Sequence, residues 1–200
     1  MQSLRPLTRT FSATIVAVAA LTAAAGAQAQ TNYSLFGPNA NYLGLNVGRS
    51  DFNSLNNGNG IFPFDKHDTV YGINAGSYFN KNFGLELGYT NFGKVARAGG
   101  DTKAQGVNLS LIGTLPLTTS FNLLGKLGTT YSRTDVSSSP LSGVASGSES
   151  GFGVSYGIGA EYTFSPQLSA VLQYDAHNMK FADTGRERIG ATTVGLRYRF

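Results

Sequence analysis

The stretch IGATTVGLRYRF, residues 189–200, decides the fold. Counting back from Phe200, one face carries Phe200, Tyr198, Leu196, Val194 and Thr192, and the other carries Arg199, Arg197, Gly195, Thr193 and Ala191. That period of two is a β-strand with one apolar face. Chain ends usually fray, so a strand that keeps its alternation up to a terminal aromatic reads as a built part of the fold.

The same alternation recurs upstream. Leu43, Leu45 and Val47 oppose Gly44, Asn46 and Gly48, and further strands are expected over 69–79, 83–92, 102–115, 120–133, 150–164 and 168–178. With the terminal stretch these make eight. In each, an apolar or aromatic face opposes one of glycine and polar residues. GLNVGRSDF at 44–52 resembles GLELGYTNF at 84–92, and LGKLG at 124–128 echoes both, with Asn46, Glu86 or Lys126 at the centre of the glycine face. The links after the second, fourth and sixth strands are short. Those after the first, third, fifth and seventh read as longer loops, including 93–101, 134–149 and 179–188. Short and long connections in alternation, with an even strand count, are the pattern of membrane barrels with short periplasmic turns and longer external loops. Both termini are then expected on the periplasmic side.

Composition points the same way. Charged residues are only 13% of the 200-residue chain, against a usual share of about 25%, while aromatics reach 12% and glycine 26 residues. No run after residue 29 is long and apolar enough for a membrane helix. There is no cysteine, so an exported chain needs another source of closure, and a sheet hydrogen-bonded into a ring supplies it. Export is expected from the first 29 residues: Arg5 and Arg9, an apolar or small run at 11–25, and Ala27 and Ala29 flanking Gln28 form a signal-peptide pattern. Residues 30–40 read as a lead-in and 41–200 as the barrel. Without residues 1–29 the chain keeps thirteen basic and eleven acidic residues, a net charge of +2, so its basic pI implies no nucleic-acid partner.

In a barrel that faces lipid the apolar face points out and the glycine-and-charge face points in. The interior charges are then Glu86, Glu161 and Asp175 against Lys126, Arg197 and Arg199. Three of each sign predict a neutral network that fills a narrow eight-stranded lumen. At the outer margin Arg49, Lys94, Arg97, Lys103, Arg133, Lys180 and Arg188 are candidates to pair with lipopolysaccharide phosphates.

The stretches YLGLNVG (42–48), FGLELGY (83–89), AQGVNL (104–109) followed by Leu115 and Pro116, GAEY (159–162) and YRF (198–200) resemble the OmpA-like transmembrane domain family of Gram-negative outer membranes. The resemblance runs from about Asn41 to Phe200. It implies an all-β, eight-stranded antiparallel up-and-down barrel, monomeric among outer-membrane lipids and lipopolysaccharide, with a structural role and at most a small or gated conductance. It also implies that Glu86 and Glu161 stand where the family has interior glutamates and Lys126 where it has an interior basic residue. Ile112 and Val171 occupy positions where interior basic residues are expected on strands four and seven, so a gate built on those partners is not expected. Full-length members continue into a peptidoglycan-binding domain; this sequence stops at Phe200, and tethering by that route is not expected. In the family the terminal aromatic strand is read by the barrel-assembly machinery, a role that falls here to Leu196, Tyr198 and Phe200.

Little else in the sequence carries chemistry. The glycine pairs at 151/153 and 157/159 lie inside an alternating strand with no helix behind them, so they make no dinucleotide loop. His67 and His177 are far apart and no metal or cofactor site is expected. Asp175 and His177 raise the alternative of a lipid A hydrolase, but both fall on the inward face, away from any lipid substrate; no enzyme activity is expected. A loop-mediated adhesin or a carrier of small hydrophobic solutes are further alternatives.

Overall fold

The computed structural model describes residues 40–52, 54–55, 62, 64–182 and 185–200; the expected signal segment and nearly all of the lead-in lie outside them. Eight strands follow one another: β1 (Asn41–Asp51), β2 (His67–Tyr78), β3 (Phe83–Arg97), β4 (Gly100–Pro116), β5 (Phe121–Val136), β6 (Gly147–Thr163), β7 (Leu168–Phe181) and β8 (Gly185–Arg199). Each pairs antiparallel with its sequence neighbours, and β8 returns to β1 to close the ring. The seam runs from Tyr42 opposite Arg199 to Asp51 opposite Gly190. It is extended by the Phe200 amide, which donates to the Asn41 carbonyl at 2.9 Å. The described strands thus form a closed ring, which a span through hydrocarbon requires.

The stagger of the strands follows from their register. A row of direct partners starting at Tyr42 passes through Gly76, Glu86, Ser110, Gly128, Ser155 and His177 and arrives at Ile189, ten residues short of Arg199, the partner Tyr42 actually has. Eight strands with a shear of ten make a tilted, narrow barrel whose interior side chains can meet across it.

At one end, which also holds the described chain ends, the connections 79–82, 117–120 and 164–167 are each four residues long. All three are set by a side-chain oxygen accepting from backbone amides ahead of it. Asn80 Oδ1 accepts from Asn82 and Phe83 at 2.9 and 2.7 Å, Thr118 Oγ1 from Phe121 at 3.0 Å, and Ser165 Oγ from Leu168 at 3.1 Å.

The opposite end corrects the expected loops. Residues 93–101 are mostly strand: β3 and β4 meet in a two-residue turn of Ala98 and Gly99, both with positive φ (55° and 73°), the conformation that matches strand twist in a tight hairpin. Likewise β7 and β8 absorb most of 179–188 and leave three residues between them. Length that read as loop went into longer strands, up to 17 residues in β4 and β6, against the roughly 9–11 that a bilayer needs. Only 52–66 and 137–146 remain long connections.

A β-bulge between Asn91 and Lys94 breaks the register of β3, with Gly93 at φ +83°. Its consequence is a change of face. Before it even-numbered residues such as Glu86 and Phe92 are buried; after it Val95 and Arg97 are.

Outside, the barrel shows what a soluble protein hides. Leu45, Leu109, Leu127, Ile158 and Leu196 are all more than half exposed. Two aromatic belts bound this apolar band, one of Phe79, Phe83, Tyr162, Phe164, Tyr198 and Phe200 at the turn end and one of Tyr71, Tyr89, Tyr131, Phe152, Tyr156 and Tyr174 at the hairpin end. From Tyr71 to Phe79 are eight residue steps, about 20 Å along the barrel axis at the usual rise and tilt, close to the apolar height of outer-membrane barrels.

Candidate functional site

The inward face is the candidate site. Its glycines are there for room: a Cβ on Gly76 would lie 2.3 Å from the Tyr42 ring, and one on Gly44 2.4 Å from Asn74 Oδ1. The space admits two buried carboxylates. Glu86, on β3, accepts from Lys126 Nζ at 2.7 Å through one oxygen, and from the Tyr42 hydroxyl at 2.7 Å and Asn74 Nδ2 at 2.6 Å through the other. Glu161, on β6, accepts from Arg199 Nη2 and Ser169 Oγ, each at 2.6 Å, and from Asn122 at 3.3 Å.

Arg197 joins the two. Its Nη2 lies 3.5 Å from Glu86 and its Nη1 3.4 Å from Glu161, while the guanidinium covers the Tyr42 ring 4.0 Å from the centroid. Lys126 also donates to Gln173 Oε1 at 3.1 Å, and Gln173 donates to Asp175 at 2.6 Å. The six charges expected inside therefore lie on one connected chain of contacts from Arg199 to Asp175. Asp175 enters it through an amide, with no ion pair of its own among the described residues.

Buried charge of this kind is tolerated only when paired and hydrogen-bonded. Much of the hydrogen bonding comes from neutral partners that the charge pattern alone does not reveal: Tyr42, Asn74, Gln173 and Ser169. All lie at inward positions of the alternation, which was the available signal.

The family model of the OmpA-like transmembrane domain matches residues 38–200. The chain belongs to that family.

Within the OmpA-like family, outer membrane protein A of Salmonella typhi is 30% identical over 168 residues, a match that covers 80% of this chain and 48% of that protein. The chain thus spans about half the length of the curated relatives it matches. Neisserial surface protein A, in its crystal structure, has a TM-score of 0.62 at 16% identity, covering 82% of this chain and 99% of the other. The attachment invasion locus protein of Yersinia pestis reaches 0.53 at 17%, covering 82% and 100%. These two likenesses establish the fold alone.

The OmpA-like barrel of this chain is not filled by charges throughout. Near the turn end Ile112, Leu124 and Val171 form a small buried apolar cluster with Tyr78 packed against it. Toward the hairpin end lies a larger one, including Phe52, Val70, Phe92, Val95, Met179, Phe181 and Ile189. Sequence reading missed this second core because most of it falls in stretches that read as loop. Between it and the network is a polar band with a cavity of about 30 Å³, lined among others by Asn46, Asn108, Asp175, His177 and Thr193, room for about one water. His177 is buried there, its Nδ1 2.8 Å from Thr130 Oγ1 and its ring edge-on to Phe92. It meets no lipid-facing surface. Among the described residues no group of three or more His, Cys, Asp or Glu side chains is placed to hold a metal.

The marginal basic residues divide. Arg49, Lys94, Lys103, Arg133, Lys180 and Arg188 are exposed on the outer face at the hairpin end. Arg97 is the correction: the bulge at Gly93 turns it inward, and it is 1% exposed, so it cannot reach a lipid headgroup.

Proposed function

We propose that this OmpA-like barrel is a structural, non-enzymatic component of the outer membrane whose lumen is closed to free passage of ions, with both termini in the periplasm and the β3–β4 and β5–β6 hairpins outside. One observation carries the reading: the lumen is blocked at two levels by different physics, an ion-paired layer around Arg197 and an apolar core around Phe92. An open pore needs a continuous polar path, and the apolar core interrupts it. A cavity of about 30 Å³ also leaves no space for a hydrophobic solute, which opposes the carrier alternative.

The exposed cations beyond the tyrosine belt support contact with lipopolysaccharide phosphates, and the outward Leu196, Tyr198 and Phe200 suit a surface presented to the assembly machinery. The test is twofold. In planar bilayers the purified barrel shows no steady conductance, and a knockout strain leaks periplasmic protein or gains sensitivity to detergent. A large, always-open pore overturns the closed reading. Deleting residues 137–146 distinguishes the adhesin alternative, since a structural barrel keeps membrane integrity without them and an adhesin loses host-cell binding. Orientation is read by a membrane-impermeant label on whole cells carrying a cysteine at Leu141, which reacts only if that connection is outside.

A further inference from the structure

The β6–β7 ladder stops short of its strands. Its last pair at the hairpin end is Ser155 opposite His177, although β6 starts at Gly147 and β7 runs on to Phe181. Beyond that pair β7 leaves the plane of the sheet and passes beneath β6. Lys180 points outward by parity on β7, yet a Cβ on Gly151, directed inward from β6, would touch it at 3.8 Å. Lys180 also ion-pairs with Glu149 at 3.2 Å, and its carbonyl accepts from the inward Thr134 hydroxyl of β5. The glycines of β6 permit this approach, since a Cβ on Gly153 would collide with the Asn178 carbonyl.

Where the unpaired backbone groups point follows from the other end of β6. The Thr163 amide donates to the Ser120 carbonyl, on the β5 side, at 2.8 Å, and the Phe164 amide to the Leu168 carbonyl of β7 at 2.9 Å. The β5–β6 register is unbroken from Tyr162 to Gly147, so odd-numbered residues of β6 direct their amides and carbonyls at β5 and even-numbered ones away from it. Ser148, Ser150 and Phe152 therefore present theirs along an edge with no ladder partner among the described residues. The Phe152 carbonyl is met by a side chain instead, Arg186 Nη2 reaching over from β8 at 3.4 Å.

Sheet edges are ordinarily blunted by proline, lysine or a covering element. The stretch GSESGFG at 147–153 has neither proline nor lysine, and its one charge, Glu149, is held beneath the sheet by Lys180. Phe152 lies in the tyrosine belt, while Ser150 and Ser148, both exposed, rise past it toward water. Four cations flank the edge. Arg133, directly opposite Ser150, is offset by Asp135 at 3.7 Å, and Lys180 by Glu149. Arg186 and Arg188 contact a carbonyl and the Tyr156 hydroxyl and have no ion pair among the described residues. Glu187, between them, lies on the opposite face, paired in register with the buried Met179.

We propose that the edge from Ser148 to Phe152 accepts an extended, acidic peptide segment of another protein, which adds as a strand beside β6. Its backbone supplies partners for the amides and carbonyls of Ser148, Ser150 and Phe152, and its carboxylates pair with Arg186 and Arg188. A second copy of this chain would bring its own two arginines to the same edge, and like charges oppose that pairing. The site goes beyond the closed-barrel reading and does not depend on it.

The test uses the full-length barrel folded in detergent and a soluble heptapeptide alternating threonine and glutamate as the probe. Further arms are the same peptide N-methylated at every amide, which cannot donate to a strand edge, and a heptapeptide alternating threonine and lysine. Expected are saturable binding of the acidic peptide and at least about tenfold weaker binding of both others, the scale of one or two lost hydrogen bonds. Ser150→Pro, which removes an edge amide and no amide directed at β5, gives a similar loss, and Arg186→Ala with Arg188→Ala a several-fold one. Arg49→Ala, on β1, changes affinity less than about twofold. Retained heat-modifiable gel mobility shows that each variant is folded. Unchanged affinity in Ser150→Pro or for the N-methylated peptide overturns the edge; equal binding of the lysine peptide overturns the acidic assignment. A sedimenting dimer that Ser150→Pro abolishes overturns the peptide in favour of a second copy.

Discussion

Lys126 Nζ lies 2.7 Å from Glu86 Oε1, and both side chains are almost wholly buried. Their interaction is between strands β5 and β3, across the lumen, and each is the other's shortest ionic contact. Removing one partner leaves the other buried without its nearest opposite charge. Glu86→Ala is expected to destabilise the folded barrel by about 3–5 kcal/mol. Glu86→Met combined with Lys126→Met recovers part of that loss, since an apolar pair leaves no stranded charge there, although Arg197 still loses one of its two carboxylates. Urea titration of the barrel in phospholipid vesicles, with the four corners of the mutant cycle, measures both.

The two closures of the lumen are independent. Glu86→Ala with Lys126→Ala leaves bilayer conductance at baseline, because Phe92, Met179 and their neighbours still interrupt the polar path. Adding Phe92→Ala and Met179→Ala to the same chain opens it. Steady conductance already in the first pair shows that the apolar core is not a barrier.

Gly93 holds the bulge on which the inward turn of Arg97 depends. Its φ is +83° and a Cβ there would sit 2.5 Å from Asp68 and 2.7 Å from the Thr69 carbonyl. Gly93→Ala is expected to cost at least about 1–2 kcal/mol from backbone handedness alone, and more where the carbonyl cannot move. The same urea titration reads the loss; an unchanged midpoint shows that the bulge tolerates a side chain.

Val171 lies directly opposite Glu161 across β6 and β7. A carboxylate placed there adds a second buried negative charge, whereas an ammonium meets one already present. Both Val171→Asp and Val171→Lys destabilise, but Lys is the milder by about 1 kcal/mol. Equal losses mean that the volume of the site and not its charge decides.

Phe200 both extends the seam and packs against Tyr198, with ring centroids 6.5 Å apart. Phe200→Ala keeps the backbone bond and removes only the ring. Refolding in detergent is expected to be nearly unchanged, and the amount assembled in cells to fall several-fold. A parallel fall in both measurements shows a loss of stability in place of a lost assembly signal.

Strand count, closure and the sorting of faces were legible because a period of two is a direct consequence of the pleat. Each of the six charges of the network could be placed inside by parity alone. Three things were not legible. Parity holds only until a residue is inserted, and the glycine at 93 looks in sequence like any loop glycine, so Arg97 read as an outward residue. Polar hairpin ends such as 93–101 carry the composition of a loop whether or not their backbones pair. Neutral partners such as Tyr42 and Gln173 matter only through distances across the barrel, which the stagger of ten residues sets and local pattern does not contain.

The layer around Arg197 has one more consequence, electrical in kind. Its three carboxylates and three cations carry no net formal charge, so displacing the layer as a body along the barrel axis does no work against a transmembrane potential, where a single uncompensated charge would gain or lose about 2.3 kcal/mol per 100 mV. Voltage therefore has no lever on this layer as a whole. Only a separation of the partners within the layer would couple to it.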